Sequence, residues 1–249
     1  MEDSPIFLQN FEIQSHQISE NFEVTLQNIL GMMQHTAERH VDTKQIGWKE
    51  LNAKGCFWAI YRMGLRIYRM PRKYEQITLR TWANPPKNLL QPRSFDIVDT
   101  EGNTLVEAQS LWIILDNKTF KPQTVEDIIG VGMPSREGEG TAYDISLKIA
   151  RIAGAPFFPT VTREVLYSDI DTNHHVNNTN YVRWFLDSLP TDFIHTHQLK
   201  EIVVNYVEQA RLGDRYDVTT VQMSDGRLGT TIVRHGTQEE FCKIVAKFG

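Results

Sequence analysis

Apolar positions along this chain follow two periods, and the periods alternate in the same order twice. Residues 7–17 alternate around Phe11 and Ile13, as a half-buried strand does. From 25 to 40, Leu26, Ile29, Leu30, Met33 and Ala37 fall three and four apart, which predicts a helix buried along one stripe. The stretches 57–68, 76–83, 93–99 and 104–115 are short and rich in β-branched or aromatic residues. Turn signals such as Asn84-Pro85-Pro86 and Thr100-Glu101-Gly102-Asn103 separate them, so they predict an antiparallel meander.

The regularity breaks between 120 and 159, where Pro122, Gly130, Gly132, Pro134, Gly138, Gly140, Gly154 and Pro156 interrupt every period. Beyond the break the order returns: a strand at 161–167, a polar segment, a helix at 178–195, then strands at 201–209, 216–223, 228–235 and 240–248. The repeat is visible in residues too, since the stretch from Arg69 through Tyr74 and Ile77 to Thr78 resembles that from Arg211 through Tyr216 and Val218 to Thr219, each a turn leading into a strand. A helix laid along an antiparallel sheet is an α+β layer, and two such layers can pair edge to edge. The expectation is an α+β double hotdog forming one continuous sheet. Its N-terminal repeat would span 1–135, its linker 136–159 and its C-terminal repeat 160–249.

The polar segment carries the candidate chemistry. Asp169, Asp171, Asn173, His174, His175, Asn177 and Asn178 precede an amphipathic run of Tyr181, Val182, Trp184, Phe185 and Leu189. A helix start leaves N–H groups unpaired and carries partial positive charge, so it can hold a developing oxyanion. The same residue types are ordinary helix caps, and on the residues alone capping is the more economical reading. A metal site among His174, His175, Asp169 and Asp171 is disfavoured, because adjacent side chains diverge and no His-x-x-x-His spacing occurs.

Composition narrows the class. The chain has 249 residues, 41% apolar and 10% aromatic, enough for a packed core, and a formal charge of -5 that argues against a general nucleic-acid binder. Cys56 and Cys242 lie far apart with no zinc or disulfide spacing, which fits a reducing compartment. No apolar run is long enough to span a bilayer, and the N-terminus lacks the features of a secretory or transit signal, so we expect a cytoplasmic protein without membrane insertion.

The segment Asp169-Ile170-Asp171-Thr172-Asn173-His174-His175-Val176-Asn177-Asn178, with Tyr181, Trp184 and Pro190 after it, closely resembles the signature of acyl-acyl carrier protein thioesterases. The likeness extends over most of the chain, through Ile46-Gly47-Trp48, 61–69, Leu79-Arg80-Thr81-Trp82 and 203–208. It implies the double-hotdog fold and a hydrolase that frees fatty acid from acyl-acyl carrier protein, ending fatty acid synthesis. Matched to the motif, Asp171, Asn173, His175 and Glu208 are the implied catalytic residues. Plant members commonly have Cys after the Glu; here Gln209 stands there, which points to activated water rather than a cysteine nucleophile.

On that reading Glu208 is the general base or orients the water, Asn173 positions water or substrate, and His175 polarises the carbonyl or assists the departing thiolate. Asp171 fixes the loop, and the N–H groups near Val176 and Asn177 are candidate oxyanion donors. Trp48, Phe57, Trp58 and Tyr61 could be plain core, but we expect them to line an acyl tunnel, because the first repeat has no Asp-x-Asn-x-His at its own helix start, 19–25. The first repeat would then bind the chain and the second carry the chemistry. No cofactor or metal is expected. The expected partner is acyl carrier protein with its phosphopantetheine-linked acyl chain, and a homodimer is compatible with the sequence.

Two rivals stay open: an acyl-CoA thioesterase, and a hotdog protein that binds acyl thioesters without cleaving them. Because carrier proteins are strongly acidic, docking calls for a local basic face. Arg62, Arg66, Arg69, Arg72 and Lys73, with Arg151 and Arg163, are the sequence candidates; Arg62 and Arg66 share a strand face that Arg69 does not, so only part of the group can converge, with Arg69, Arg72 and Lys73 in one turn.

Overall fold

The computed structural model describes residues 4–130, 145, 149 and 152–249. The chain divides into two units, Met1–Ile145 and Ser146–Gly249. Most of the expected linker, and Arg151 with it, lies outside the described residues.

The N-terminal unit runs β1 (Ile6–Glu12), α1 (Leu26–Thr43), α2 (Trp48–Ala53), β2 (Cys56–Ile67), β3 (Gln76–Ala83), β4 (Leu90–Asp99), β5 (Thr104–Asp116), β6 (Pro122–Gln123) and α3 (Val125–Ile129). Its strands lie in the order β1-β3-β4-β5-β2, every neighbour antiparallel, with β6 paired to β5. Thr25 caps α1 by accepting the Asn28 N–H at 3.3 Å, and the stripe from Leu26 to Ala37 is buried as its spacing requires. In β2 the register slips between Ile60 and Arg62, so Tyr61 is the extra residue of a bulge.

The C-terminal unit runs β7 (Val161–Glu164), a single 3-10 turn (Tyr167–Asp169), α4 (Asn178–Asp187), α5 (Thr191–Thr196), β8 (Leu199–Tyr206), β9 (Arg215–Gln222), β10 (Leu228–Arg234) and β11 (Glu240–Phe248). Its strand order, β7-β9-β10-β11-β8, is the same permutation of chain order as in the first unit. Each unit is therefore one hotdog, and the fold is α+β. The helix expected over 178–195 is two helices, because Pro190 cannot continue the first: α4 stops at Asp187 and Pro190 caps α5. The helices α2, α3 and α5 were not legible as separate elements; each is only five or six residues long, too short for a periodic stripe.

Helix α4 is fixed to its sheet by rings. Trp184 stacks on Tyr216 of β9 with centroids 4.0 Å apart, and Tyr181 meets Trp184 and Tyr206 edge-on. Under α1 the contact is different in kind. His40 is buried, stacks on Phe7 at 5.5 Å, and lies with Nδ1 3.0 Å from the Nη1 of buried Arg93. A guanidinium has no lone pair to offer, so His40 accepts through Nδ1 and is neutral. Burial first, then the charges of Arg93 and Lys44, lower its pKa from 6.5 to about 3.

A histidine whose pKa is lower folded than unfolded leaves the unfolded state binding more protons below pH 6.5, so stability falls as pH falls toward 3. We predict that His40→Gln narrows the difference in unfolding free energy between about pH 7.5 and pH 5 by about 2 kcal/mol. Urea titrations of both proteins at the two pH values check it; an unchanged difference refutes the neutral, buried assignment.

Candidate active site

All four residues of the expected catalytic set lie in the C-terminal unit. Between the 3-10 turn and α4 the chain makes a short closed loop. Ile170 bridges Val176, the Asp171 N–H donates to the His175 carbonyl at 2.9 Å, and the His174 N–H donates to the Asp171 carbonyl at 3.1 Å. The Asp171 carboxylate accepts the Asn173 N–H at 2.8 Å, an Asx turn, and His174 takes the left-handed conformation at φ +62° that closes the tip. Asn173 is thereby exposed at the tip while His175 is half-buried.

The loop is anchored by Asp169, which is 2% exposed. Its carboxylate accepts the Leu166 N–H at 2.9 Å and pairs with Arg183 of α4. Its carbonyl accepts the Asn177 N–H at 2.9 Å and the Asn180 side-chain amide at 2.9 Å. Asn177 then caps α4 by accepting the Thr179 N–H at 2.9 Å.

Glu208 stands two residues beyond the end of β8. The Val207 and Glu208 N–H groups share the Phe241 carbonyl at 3.0 and 3.3 Å. Two residues on, the Ala210 carbonyl accepts the Val176 N–H at 3.0 Å, and the Tyr181 hydroxyl accepts the Ala210 N–H at 3.1 Å. The backbone carrying Glu208 is thus stitched to both the loop and α4. Its side chain is exposed and, among the described residues, has no hydrogen-bond or ion-pair partner. The side chains of Asn173, His175 and Glu208 likewise make no hydrogen bond with one another among the described residues.

The oxyanion donors expected at Val176 and Asn177 need correction. Both N–H groups are already bonded, to the carbonyls of Ala210 and Asp169, because they hold the loop closed. The Asn178 N–H, first in α4, has no acceptor among the described residues and lies at the positive end of the helix.

Electrostatics separate the titratable groups. Burial, then the Arg211 guanidinium, lowers the His175 pKa below 6.5; Asp171 opposes this and His174 adds to it. Burial raises Tyr181 and Tyr206, so both phenols stay protonated. Cys242 is nearer this region than its place in the sequence suggests, since it stands opposite Tyr206 in the β8–β11 register. It is fully buried, and burial pushes its thiol well above the ordinary range; the Cys56 thiol is raised for the same first reason. Among the described residues no three His, Cys, Asp or Glu side chains cluster to hold a metal.

The aromatic residues expected to line a tunnel belong to the N-terminal unit and have dissimilar surroundings. Trp48 is 65% exposed at the start of α2. Trp58 donates its ring N–H to the Ile46 carbonyl at 3.2 Å and packs on the cluster of Leu51, Cys56, Ile114 and Val125. Phe57 meets Phe120 edge-on at 6.1 Å, and Tyr61 lies under the Arg62 guanidinium.

The basic group expected for docking does not form one face. Arg62 is buried and donates to the Ile145 carbonyl, Arg69 is paired with Glu75 at 2.7 Å, and Arg72 lies 4.0 Å from Glu23. Reading the sequence named Asp169 and Tyr181 without their anchoring roles, and it missed Arg183 and the effect of Arg211. Arg183, fourteen positions after Asp169, was the one available signal of a carboxylate held from the helix.

Comparison with known proteins bears on the family and the fold. The family model for the acyl-ACP thioesterase N-terminal domain matches residues 5–130, and that for the C-terminal domain matches 160–248. The chain is 25% identical over 236 residues to oleoyl-acyl carrier protein thioesterase 2, chloroplastic, of Arabidopsis thaliana, covering 88% of this chain and 64% of that protein. It is 25% identical over 218 residues to the chloroplastic palmitoyl-acyl carrier protein thioesterase of the same plant, covering 83% and 52%. The chain therefore spans about half to two thirds of the length of these curated relatives. A solved acyl-ACP thioesterase from Bacteroides thetaiotaomicron superposes with TM-score 0.86 at 23% identity, covering 98% of each chain. The 12:0-ACP thioesterase from Umbellularia californica gives 0.85 at 18%, covering 99% of this chain and 98% of that one. These likenesses show a shared double-hotdog fold. With both of its units matched by the two domain models, the chain belongs to the acyl-ACP thioesterase family.

Proposed function

We propose that this protein is a thioester hydrolase that releases free fatty acid from acyl-acyl carrier protein and so terminates fatty acid synthesis. The observation that carries the reading is the Val176–Ala210 hydrogen bond. It fixes the segment bearing Glu208 against the loop bearing Asp171, Asn173 and His175, which a capping loop alone has no need to do.

In this mechanism the exposed Glu208 carboxylate takes a proton from a water held by Asn173, and the water oxygen bonds to the thioester carbonyl carbon. Negative charge moves to the carbonyl oxygen, where the Asn178 N–H and the positive end of α4 oppose it. Neutral His175 donates its ring N–H toward that oxygen. The carbonyl reforms as the carbon–sulfur bond breaks, and the proton held by Glu208 neutralises the departing thiolate. A thiolate is a good leaving group, so no strong acid is required. Asp171 acts through the backbone, by holding the Asx turn that presents Asn173.

The 1–135 repeat would hold the acyl chain, with Phe57 and Tyr61 among its lining, and the 160–249 repeat would carry the chemistry. The partner is acyl carrier protein. We place the enzyme in the cytoplasm, a reading supported by two free, buried cysteines; no helix among the described residues is long and apolar enough to cross a membrane.

Two predictions follow from this assignment. Asp171→Asn, Asn173→Ala, His175→Ala and Glu208→Ala should each lower turnover on an acyl carrier protein thioester by about a hundredfold or more while leaving the far-ultraviolet dichroism unchanged. Thiol release followed with a chromogenic reagent measures it, and full activity in a folded Glu208→Ala protein removes Glu208 as the base. The absence of any release from wild-type protein that still binds acyl thioesters would support the non-catalytic rival, and a preference for coenzyme A thioesters would support the other.

The second concerns the cysteines. With both thiols buried and raised in pKa, Cys56→Ala/Cys242→Ala should hydrolyse at about the wild-type rate, within threefold, and an alkylating reagent should leave native activity intact. An acyl group trapped on either cysteine and seen by mass spectrometry would defeat the water mechanism.

A further inference from the structure

Three large apolar side chains stand exposed at one corner of the C-terminal unit: Leu166 at 59%, Tyr167 at 86% and Leu212 at 60%. Backbone bonds place them together. The Val165 N–H donates to the Asp214 carbonyl at 2.8 Å and the Gly213 N–H returns to the Val165 carbonyl at 3.2 Å, clipping the 211–214 turn to the end of β7. The residue before that turn, Ala210, accepts the Val176 N–H, so the corner adjoins the loop of the candidate site. Exposed apolar side chains grouped in this way mark a surface that something covers.

The charges around the corner say what kind of partner fits. Arg211 in the turn and Arg163 in β7 are exposed, and among the described residues neither has an ion-pair partner. Two of the nearby acids are compensated: Asp214 is paired with Arg234 and Asp169 is buried against Arg183. Exposed Glu164 stands opposite exposed Arg215 in the β7–β9 register without pairing with it among the described residues, and exposed Glu208 lies three positions before Arg211. An apolar centre with uncompensated cations beside it suits an acidic partner that also has an apolar face. A second copy fits poorly, because a two-fold contact centred here would bring Arg163 and Arg211 close to their own images.

We propose that this corner is the docking surface for the acidic carrier protein that bears the thioester. The inference deepens the function proposed above and rests on the substrate being carrier-borne. Of the basic candidates in the sequence it keeps Arg163, in the unit that holds the candidate catalytic residues, and sets aside Arg69 and Arg72, which face Glu75 and Glu23. A prosthetic arm leaving a carrier seated here starts beside the loop, so the thioester need not be threaded past the rest of the unit.

The test uses the full chain, with Tyr167→Ser/Leu212→Ser and Arg163→Glu as separate variants. All three positions are solvent-facing, and dichroism checks their fold. Binding of fluorescently labelled acyl carrier protein is measured by anisotropy, and hydrolysis is measured on a small acyl thioester of N-acetylcysteamine, which has no carrier to dock. We expect each variant to weaken carrier binding about tenfold while small-thioester kcat/KM stays within about twofold. We also expect Arg163→Glu to flatten the loss of binding between about 0.05 and 0.2 M salt. Unchanged carrier affinity in both variants overturns the proposal, as does an equal loss on carrier and small thioester. A wild-type dimer that Tyr167→Ser/Leu212→Ser converts to monomer also overturns it, since a second copy would then cover the corner. Carrier binding that responds as expected in a protein that hydrolyses no thioester would sink the hydrolase reading and leave the docking surface standing.

Discussion

The loop of the candidate site is anchored to its surroundings by one buried residue, Asp169. Asp169 is almost wholly removed from water, a position that is costly for a charge unless it is paired and hydrogen-bonded. Here the carboxylate has the Arg183 guanidinium and the Leu166 N–H, while the carbonyl of the same residue holds Asn177 and Asn180. One residue thus ties the end of β7, the loop and the first turn of α4 into a single body. Removing the carboxylate would leave Arg183 half-buried without its main partner. Removing the backbone bonds would free the loop from the helix it precedes.

The two units show what that anchor adds. Both begin a helix with a short polar cap, Thr25 in α1 and Asn177 in α4, and both then lay the helix on five antiparallel strands in the same order. In the first unit the residues before the cap lead back along the strand edge, with the Thr25 N–H bonded to the Gln17 carbonyl. In the second the chain folds into the 170–176 loop and is stitched to the 207–210 segment. On the proposed reading the same architecture acquires chemistry through the 170–176 loop and its backbone bond to Ala210, with no change of sheet topology.

Much of the fold was legible because periodicity is a strong signal where elements are long. The α1 stripe, the meander from β2 to β5 and the strands of the second half all lie within a few residues of where the pattern puts them. What escaped was short or depended on neighbours. Helices α2 and α3 have no full stripe, and the split between α4 and α5 turns on Pro190, which a 178–195 reading passes over. At the site, the resemblance to the thioesterase signature named Asp171, Asn173 and His175, but hydrogen-bond partners decide what is free to act. Val176 and Asn177 have the right N–H groups in the right place and are occupied, and nothing in the sequence says so. Arg62 shows the converse: an arginine in a row of arginines reads as surface charge, yet the bulge at Tyr61 accompanies a side chain that lies buried.

His175 and Cys242 illustrate how burial selects between mechanisms. Both lie near the Glu208 segment, and burial acts on each by penalising its charged form. For a histidine the charged form is the cation, so burial and Arg211 together favour the neutral imidazole, which can donate one N–H to a carbonyl oxygen and keep the other nitrogen as an acceptor. For a cysteine the charged form is the thiolate, and the thiolate is the nucleophile, so the same desolvation disfavours Cys242 as a nucleophile. Glu208 stands exposed two residues beyond the end of β8, within reach of water. On the proposed mechanism a half-buried imidazole and an exposed carboxylate divide the work of an attack by water on a thioester, and that division follows from where β8 ends.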